Sequence, residues 1–223
     1  MKIIILLLPL LALSCGHGNH KTQHETQHKG HHRFQDAEKW AKRFEKPSRD
    51  KWQKPEEVLK YLSIRRGDVV ADIGSATGYF PIRVAKKVPS ARVWAIDIEP
   101  NLVRYLNERL EREKVTNAHS ILGTPSDPLI PERVDFVVVV DTYHHIQKRI
   151  AYFKNIKRYL KKNSKVAIID FKKGDLPFGP SDKMKLAPSE VIKELKAAGF
   201  NLKSQSDFLP YQYILIFENN GKS

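Results

Sequence analysis

Three stretches of this chain combine residue types and spacings that suit chemistry. The first runs Val69-Val70-Ala71-Asp72-Ile73-Gly74-Ser75-Ala76-Thr77-Gly78-Tyr79-Phe80, an apolar run ending in an acid and then a turn of small residues. Gly74 and Gly78 permit positive φ and let a ligand approach the backbone. A helix beginning beyond them would offer free N–H groups at its first turn. The second is Asp97, 25 residues after Asp72, at the end of the short apolar run Ala91 to Ile98. A carboxylate at the end of a second strand can accept hydrogen bonds from both hydroxyls of a ribose. The third is Asp141-Thr142-Tyr143-His144-His145-Ile146, directly after the run Val134 to Val140. Adjacent histidines on such a loop give one base, with the other turned to cap or pack.

Positioning these groups requires strands that end where the acids stand. Val69 to Ile73, Ala91 to Ile98, Ala118 to Leu122, Val134 to Val140 and Lys165 to Phe171 read as five strands. The fourth, β-branched without alternation, implies cover on both faces, as in a parallel sheet. Amphipathic helices are expected at Pro81 to Val88, from Glu99-Pro100 to about Lys114, at Arg149 to Lys161 and at Pro188 to Ala198, where Gly199 is a stop signal. Asn201 to Phe208 and Tyr211 to Phe217 read as two closing strands around Leu209-Pro210, and Lys172 to Ala187 as an irregular Pro/Gly-rich loop. Ahead of the first strand, Arg33 to Tyr61 is helical and amphipathic, broken by Pro47 and Pro55. In open sheets of this kind ligands lie beyond the carboxyl ends of the strands.

The spacing Asp72-x-Gly74-x-Ala76-x-Gly78 with Asp97 one unit later resembles the class I S-adenosylmethionine-dependent methyltransferases, with Ala76 where a glycine is commoner. The dinucleotide fingerprint fits less well, because no third glycine falls at the required offset. The paired histidines are similar to those of ubiquinone-biosynthesis-like and type 11-like members. The resemblance covers Arg33 to Phe217. It implies a Rossmann-like, doubly wound α/β fold. Its mostly parallel seven-stranded sheet would end in a C-terminal antiparallel hairpin, with N-terminal helices over the cofactor site. It also implies that Asp72, Gly74, Ser75, Ala76, Gly78 and Tyr79 hold the methionine part of S-adenosylmethionine. Asp97 and Ile98 would serve the ribose side, Gly123 and Thr124 the adenine edge, and Asp141 the fourth strand end. An acid commonly follows that glycine; Thr124 stands there instead, so Thr124 or Asp127 is left to make the adenine contact. Trp52 and Gln53 are candidates to line the lid. His144 is the first candidate base and Tyr143 a shaper of the pocket; no metal ligand set is assigned.

The N-terminus carries a different message. Met1-Lys2, the apolar run Ile3 to Leu13 and Leu11-Ala12-Leu13-Ser14-Cys15-Gly16 resemble a bacterial lipoprotein signal. The run is too short to span a bilayer as a helix. Residues 1–15 are therefore expected to be a signal, with Cys15, the sole cysteine, as the lipid-bearing residue. Residues 16–32, with six of the nine histidines, would form a flexible tether. The domain would span 33–217 and a tail 218–223. The expected location is the bacterial cell envelope, periplasmic and lipid-anchored. A net charge of +14, from 39 basic and 25 acidic residues, suggests anionic lipid, an acidic polymer or nucleic acid, beside the commonest explanation of a solvated basic face with no partner. No aromatic-interleaved nucleic-acid motif accompanies it, so no nucleic acid partner is expected.

The expectation is thus an exported methyltransferase acting on a small-molecule or lipid acceptor. Two other readings stand beside it. One is a non-catalytic envelope binding protein on the same fold. The other is a metal-handling lipoprotein that uses the histidine-rich tether.

Overall fold

The computed structural model describes residues 36–219. The signal, Cys15, the histidine-rich tether and the start of the domain at 33–35 lie outside the described residues, as does the tail from 220 onward.

Seven strands form one sheet in the order β3-β2-β1-β4-β5-β7-β6. They are β1 Val69–Ile73, β2 Arg92–Asp97, β3 Ala118–Leu122, β4 Val134–Val140, β5 Leu160–Phe171, β6 Phe200–Ser206 and β7 Gln212–Asn219. The first five pair in parallel. β7 inserts antiparallel between β5 and β6, which closes the sheet with the expected hairpin. β1 is buried along its whole length, and β4 nearly so. The chain runs outward from β1 through β2 to β3, then returns to place β4 on the other side of β1. That reversal opens a crevice at the carboxyl ends of β1 and β4, the switch point at which doubly wound sheets bind ligands.

Helices α3 Pro55–Leu62, α4 Tyr79–Lys87 and α5 Pro100–Arg112 pack on one face of the sheet through Val58, Leu62, Phe80, Ile82 and Leu106. Helices α6 Arg149–Ile156 and α7 Pro188–Ala197 cover the other through Phe153, Ile156, Val191 and Leu195. Two short helices, α1 Ala37–Phe44 and α2 Ser48–Gln53, precede them. The prolines act as expected: Pro47 is the N-cap of α2 and Pro55 the first residue of α3, a position where a missing N–H costs nothing.

Residues 123–133, between β3 and β4, are loop. The sequence reading and the structure differ at two element ends. The basic helix stops at Ile156, and a 3₁₀ turn, Lys157–Tyr159, leads into a strand that starts at Leu160 rather than Lys165. β5 can start early because its register on β4 shifts between Val134 and Phe136, which absorbs the extra residues. At the other end β7 runs to Asn219, beyond the expected domain boundary at 217.

Candidate active site

The loop after β1 is made by backbone conformation. Gly74, Ala76 and Gly78 all have positive φ, at 78°, 47° and 100°. Ala76 thus adopts a left-handed conformation that a side chain disfavours. The N–H groups of Gly74 and Ser75 both donate to the Ile96 carbonyl, at 2.8 and 3.0 Å, which ties the loop to β2. The glycines also serve packing, in a way the sequence did not indicate. A Cβ on Gly74 would fall 2.2 Å from Thr142 Oγ1, and one on Gly78 2.3 Å from Leu106 Cδ1. The close approach they permit is therefore made by the protein's own side chains, from the end of β4 and from α5.

Asp97 completes this end of the crevice. Its Oδ2 accepts the Ala76 N–H at 2.9 Å and its Oδ1 the Glu99 N–H at 3.0 Å. The carboxylate is held rigidly, and each oxygen keeps a lone pair for another donor. Burial raises its pKa against the backbone N–H groups of Glu99, Ala76 and Ile98. Ile98 and Leu122, at the adjoining ends of β2 and β3, are 49% and 48% exposed, an apolar surface beside the acid. Gly123 donates its N–H to the Asp97 carbonyl at 2.9 Å. Thr124 and Asp127 close a turn on each other: the Thr124 N–H donates to the Asp127 carbonyl at 2.8 Å, and the Asp127 N–H to Thr124 Oγ1 at 2.9 Å. The Asp127 carboxylate is engaged by Arg158 and by the Tyr159 hydroxyl. The side chains of Thr124 and Asp127, expected at the adenine edge, are thus engaged in holding the loop.

Asp72 is buried and its carboxylate has no hydrogen-bond partner among the described residues. Burial pushes its pKa up to about 7, the Asp97 carboxylate adds to the rise and Arg49 opposes it. The hydroxyl of Ser75 is likewise buried and without a partner among the described residues.

Arg49 is a residue the sequence reading passed over. It lies on α2, yet its guanidinium reaches the crevice, where Nη2 stands 3.4 Å from Asp141 Oδ2. It covers the Tyr79 ring at 3.8 Å, donates to Gln53 Oε1 at 2.6 Å and donates to the Phe44 carbonyl at 3.1 Å. Gln53, fully buried, donates to Gln212 Oε1 at 2.8 Å, and Gln212 donates to Asp141. Arg49, Gln53, Gln212 and Asp141 thus form a closed circuit between α2 and the carboxyl end of the sheet. Asp141 has φ 53°, a strained conformation for a non-glycine. Burial raises its pKa to about 6, opposed by Arg49 and reinforced by Asp170. The same N-terminal segment is fastened elsewhere: Glu45 accepts from the Thr77 hydroxyl at 2.7 Å and from Arg109 at 2.8 Å, and Asp50 from the Tyr79 hydroxyl and Arg83. Tyr79, expected at the cofactor, therefore spends its hydroxyl on the lid.

The paired histidines complete a 3₁₀ turn, Tyr143–His145, after β4. His144 Nδ1 lies 2.8 Å from Asp170 Oδ1, and the His144 N–H donates to Oδ2 at 3.2 Å. Burial disfavours the imidazolium, but the bonded Asp170 and the nearby Asp141 outweigh it and raise the His144 pKa. With Asp170 accepting from Nδ1–H, the neutral ring presents Nε2 as its acceptor nitrogen. His145 stacks on His144 at 4.2 Å between centroids. Tyr143 requires a correction. It is fully buried in the core against Phe153, and its hydroxyl donates to Glu194 at 2.6 Å, on the α6–α7 side. Burial first, then Glu194, raises its pKa far above the ordinary phenol range, so it neither lines the pocket nor exchanges protons. Trp52, from the lid, packs on Phe171 at 5.9 Å and Phe178 at 4.6 Å. Phe178 also meets Tyr211 at 4.9 Å. Trp52, Phe171, Phe178 and Tyr211 thus form one aromatic group between the lid and the end of β5.

The donor set fits S-adenosylmethionine. Asp97 offers a fixed carboxylate for a diol, Ile98 and Leu122 an apolar edge for a base, and Ser75 an unpaired hydroxyl. Asp72 is a buried acid that a cationic neighbour would hold in its charged form.

Residues 64–212 match the methyltransferase domain family. The chain is 34% identical over 138 residues to an erythromycin 3''-O-methyltransferase of Saccharopolyspora erythraea, covering 59% of this chain and 44% of that protein. It is 26% identical over 117 residues to a ubiquinone/menaquinone biosynthesis C-methyltransferase of Cupriavidus metallidurans, covering 52% and 48%. The chain thus spans about half the length of these curated relatives. Among solved structures, a SAM dependent methyltransferase from Aquifex aeolicus superposes with a TM-score of 0.76 at 27% identity, covering 82% of this chain and 98% of that one.

Proposed function

This chain belongs to the methyltransferase domain family, whose cofactor is S-adenosylmethionine, and from that premise we propose that it methylates a small-molecule acceptor, with His144 as the base and Asp170 positioning it. The observation that carries the reading is the His144–Asp170 pair at the carboxyl ends of β4 and β5, 2.8 Å apart and next to the switch-point crevice. Relatives named for erythromycin and for ubiquinone and menaquinone biosynthesis support a small acceptor, beside others named for tRNA, rRNA and ribosomal protein L11.

When bound, the cofactor supplies a methyl group on a sulfonium, open to in-line displacement. The protein's share is alignment and proton management. Asp97 would hold the ribose hydroxyls, with its orientation fixed by the Ala76 and Glu99 N–H groups. Asp72 would face the cationic methionine end, together with the Ser75 hydroxyl and the Arg49 guanidinium. An acceptor hydroxyl or carbon acid must lose its proton as the new bond forms. His144 Nε2 would receive it, while Asp170 keeps Nδ1 protonated and stabilises the resulting imidazolium. The Trp52–Phe171–Phe178–Tyr211 group would exclude water from that step.

We also assign the chain to the bacterial envelope, tethered through lipid on Cys15. This rests on the character of residues 1–15 alone. Cys15→Ser should move the chain from the membrane to the soluble fraction; unchanged partition would remove the assignment.

Calorimetric titration of S-adenosylmethionine into the full chain tests the central reading. Micromolar binding that Asp97→Ala abolishes is expected. No binding by folded protein would sink the reading and leave a methyltransferase fold with another task.

A further inference from the structure

The charge of this molecule is not evenly shared. Residues 36–147 hold nineteen lysines and arginines against seventeen acids. Residues 148–203 hold fifteen against five. The excess therefore belongs to α6, β5, the loop after it, α7 and β6, which lie together at the β5-β7-β6 end of the sheet.

Much of that charge is already spent. Arg158 pairs with Asp127, Lys161 with Asp135 and Lys203 with Glu218. Lys157 donates to the Gly199 carbonyl, and Lys185 is buried and donates to the Gly174 carbonyl. Lys162, Lys173 and Lys183 are exposed on β5 and the loop after it, and a further group of four lies on α6, α7 and the residue before α6. Lys148, Lys154, Lys193 and Lys196 are exposed there and have no ion pair among the described residues. Two acids share these elements, and both are committed. Glu194 is held by Arg149 through two bonds at 2.7 and 2.8 Å and by Tyr143, and Glu190 accepts the Ala187 N–H at 2.7 Å.

The same surface is not purely polar. Ile150 stands 38% exposed among the lysines. A shallow hollow of about 400 Å³ is lined by Lys148, Arg149, Ile150, Lys154 and Glu194.

We propose that the α6–α7 face is a docking surface for an anionic phospholipid bilayer. Charge complementarity selects the partner. Four uncompensated lysines on one face match a surface of phosphates, and each adds favourable energy within a Debye length of it. The apolar component separates bilayer from nucleic acid. An exposed isoleucine amid lysines gains by entering the headgroup boundary, whereas it gives a nucleobase no ring on which to stack. The proposal does not depend on the methyl-transfer reading, because it concerns binding alone.

The test is vesicle co-sedimentation of the full chain carrying Cys15→Ser, so that no attached lipid contributes. Vesicles of phosphatidylcholine with and without phosphatidylglycerol are compared at low and high salt. We expect binding only with phosphatidylglycerol, weakened by salt. We expect it to fall by roughly a hundredfold in Lys148→Glu/Lys154→Glu/Lys193→Glu/Lys196→Glu. A scattered variant of equal net charge, Lys42→Glu/Lys60→Glu/Arg66→Glu/Arg112→Glu, should keep most of it. Equal loss in both variants would reduce the effect to net charge and overturn the docking face. Absence of binding to phosphatidylglycerol, or displacement of the chain from vesicles by tRNA at equal phosphate, would also overturn it. Thermal melts of both variants confirm that the comparison is made between folded proteins.

Discussion

The two ends of the crevice are built by different means. At the β1–β2 end, recognition rests on main chain: three alternate positions, 74, 76 and 78, in left-handed conformations, two N–H groups on one carbonyl, and an acid fixed by two more. At the β4–β5 end it rests on side chains brought from far apart: Arg49, Gln53 and Trp52 from the lid, Gln212 and Tyr211 from the last strand and its approach, His144 and Asp170 between them. A backbone-built site suits a constant ligand, because it is rigid and tolerates exchange of most side chains. A side-chain site can be retuned one residue at a time, as acceptor choice demands.

The sharpest way to test the contrast is Asp97→Ala. It removes the one side chain on which the backbone-built end depends and leaves the Ala76 and Glu99 N–H groups without their acceptor. Each lost charge-assisted bond is worth about 1.5–3 kcal/mol. Affinity for S-adenosylmethionine should fall by roughly two to three orders of magnitude in calorimetry. A fall of less than tenfold would mean that the ribose is held elsewhere.

The side-chain end should respond in the opposite column. Asp170→Asn leaves cofactor affinity unchanged and lowers kcat by about 10–100-fold, within the range of a disturbed base. It also moves a pH limb. His144 acts when neutral, so rate rises with pH through its pKa. Asp170 raises that pKa, so its loss shifts the limb to lower pH while the plateau drops. A purely structural role would lower the plateau and leave the limb in place.

The same contrast explains what a linear reading could find. Asp72, the glycines and Asp97 were legible because a strand, a turn and a second strand lie within one local unit. The strands were legible from apolar runs, and the mostly parallel sheet with its closing hairpin from the resemblance; the strand order came from the structure. The circuit at the other end was not. Its bonds join residues 92, 159 and 71 positions apart for Arg49–Asp141, Gln53–Gln212 and Gln212–Asp141. Asp170 stood out only as the end of a strand, and nothing local tied it to His144, 26 residues away. Tyr143 misled for the converse reason: it adjoins His144 in sequence, but the 3₁₀ turn sends neighbouring side chains in different directions, and its ring went to the core. An arginine in a polar stretch before a Trp-Gln pair carries no sign in the sequence that it will turn inward.

A smaller effect separates holding a cofactor from holding the fold. Asp72 has a folded pKa of about 7 against an ordinary 3.8. The folded state therefore binds more protons than the unfolded one between those values. The stability this contributes is full below about 4 and is lost as pH rises through 7. Asp141, at about 6, acts with the same sign over a narrower window. Asp72→Asn should thus gain in Tm relative to the parent between pH 5 and pH 8, yet bind S-adenosylmethionine more weakly. A Tm difference that does not vary with pH would show that the buried acid is not titrating there.

The smallest expected effect bears most directly on the claim that one end is backbone-built. Ala76 sits at φ 47°, where a Cβ costs about 1–2 kcal/mol, yet the loop asks only for its N–H, donated to Asp97. Ala76→Gly relieves that strain but gives the unfolded chain more freedom, worth roughly 0.5–1 kcal/mol in the other direction. The two nearly offset, so Tm should change by no more than a few degrees and cofactor affinity by less than about threefold. Ala76→Val makes the opposite choice: a β-branched residue is a genuine outlier at positive φ. It should lower both Tm and affinity, because relaxing the strain moves the N–H away from Asp97. If glycine and valine behaved alike, conformation at position 76 would not govern the site, and the division between a main-chain end and a side-chain end would fail where it is most exposed to test.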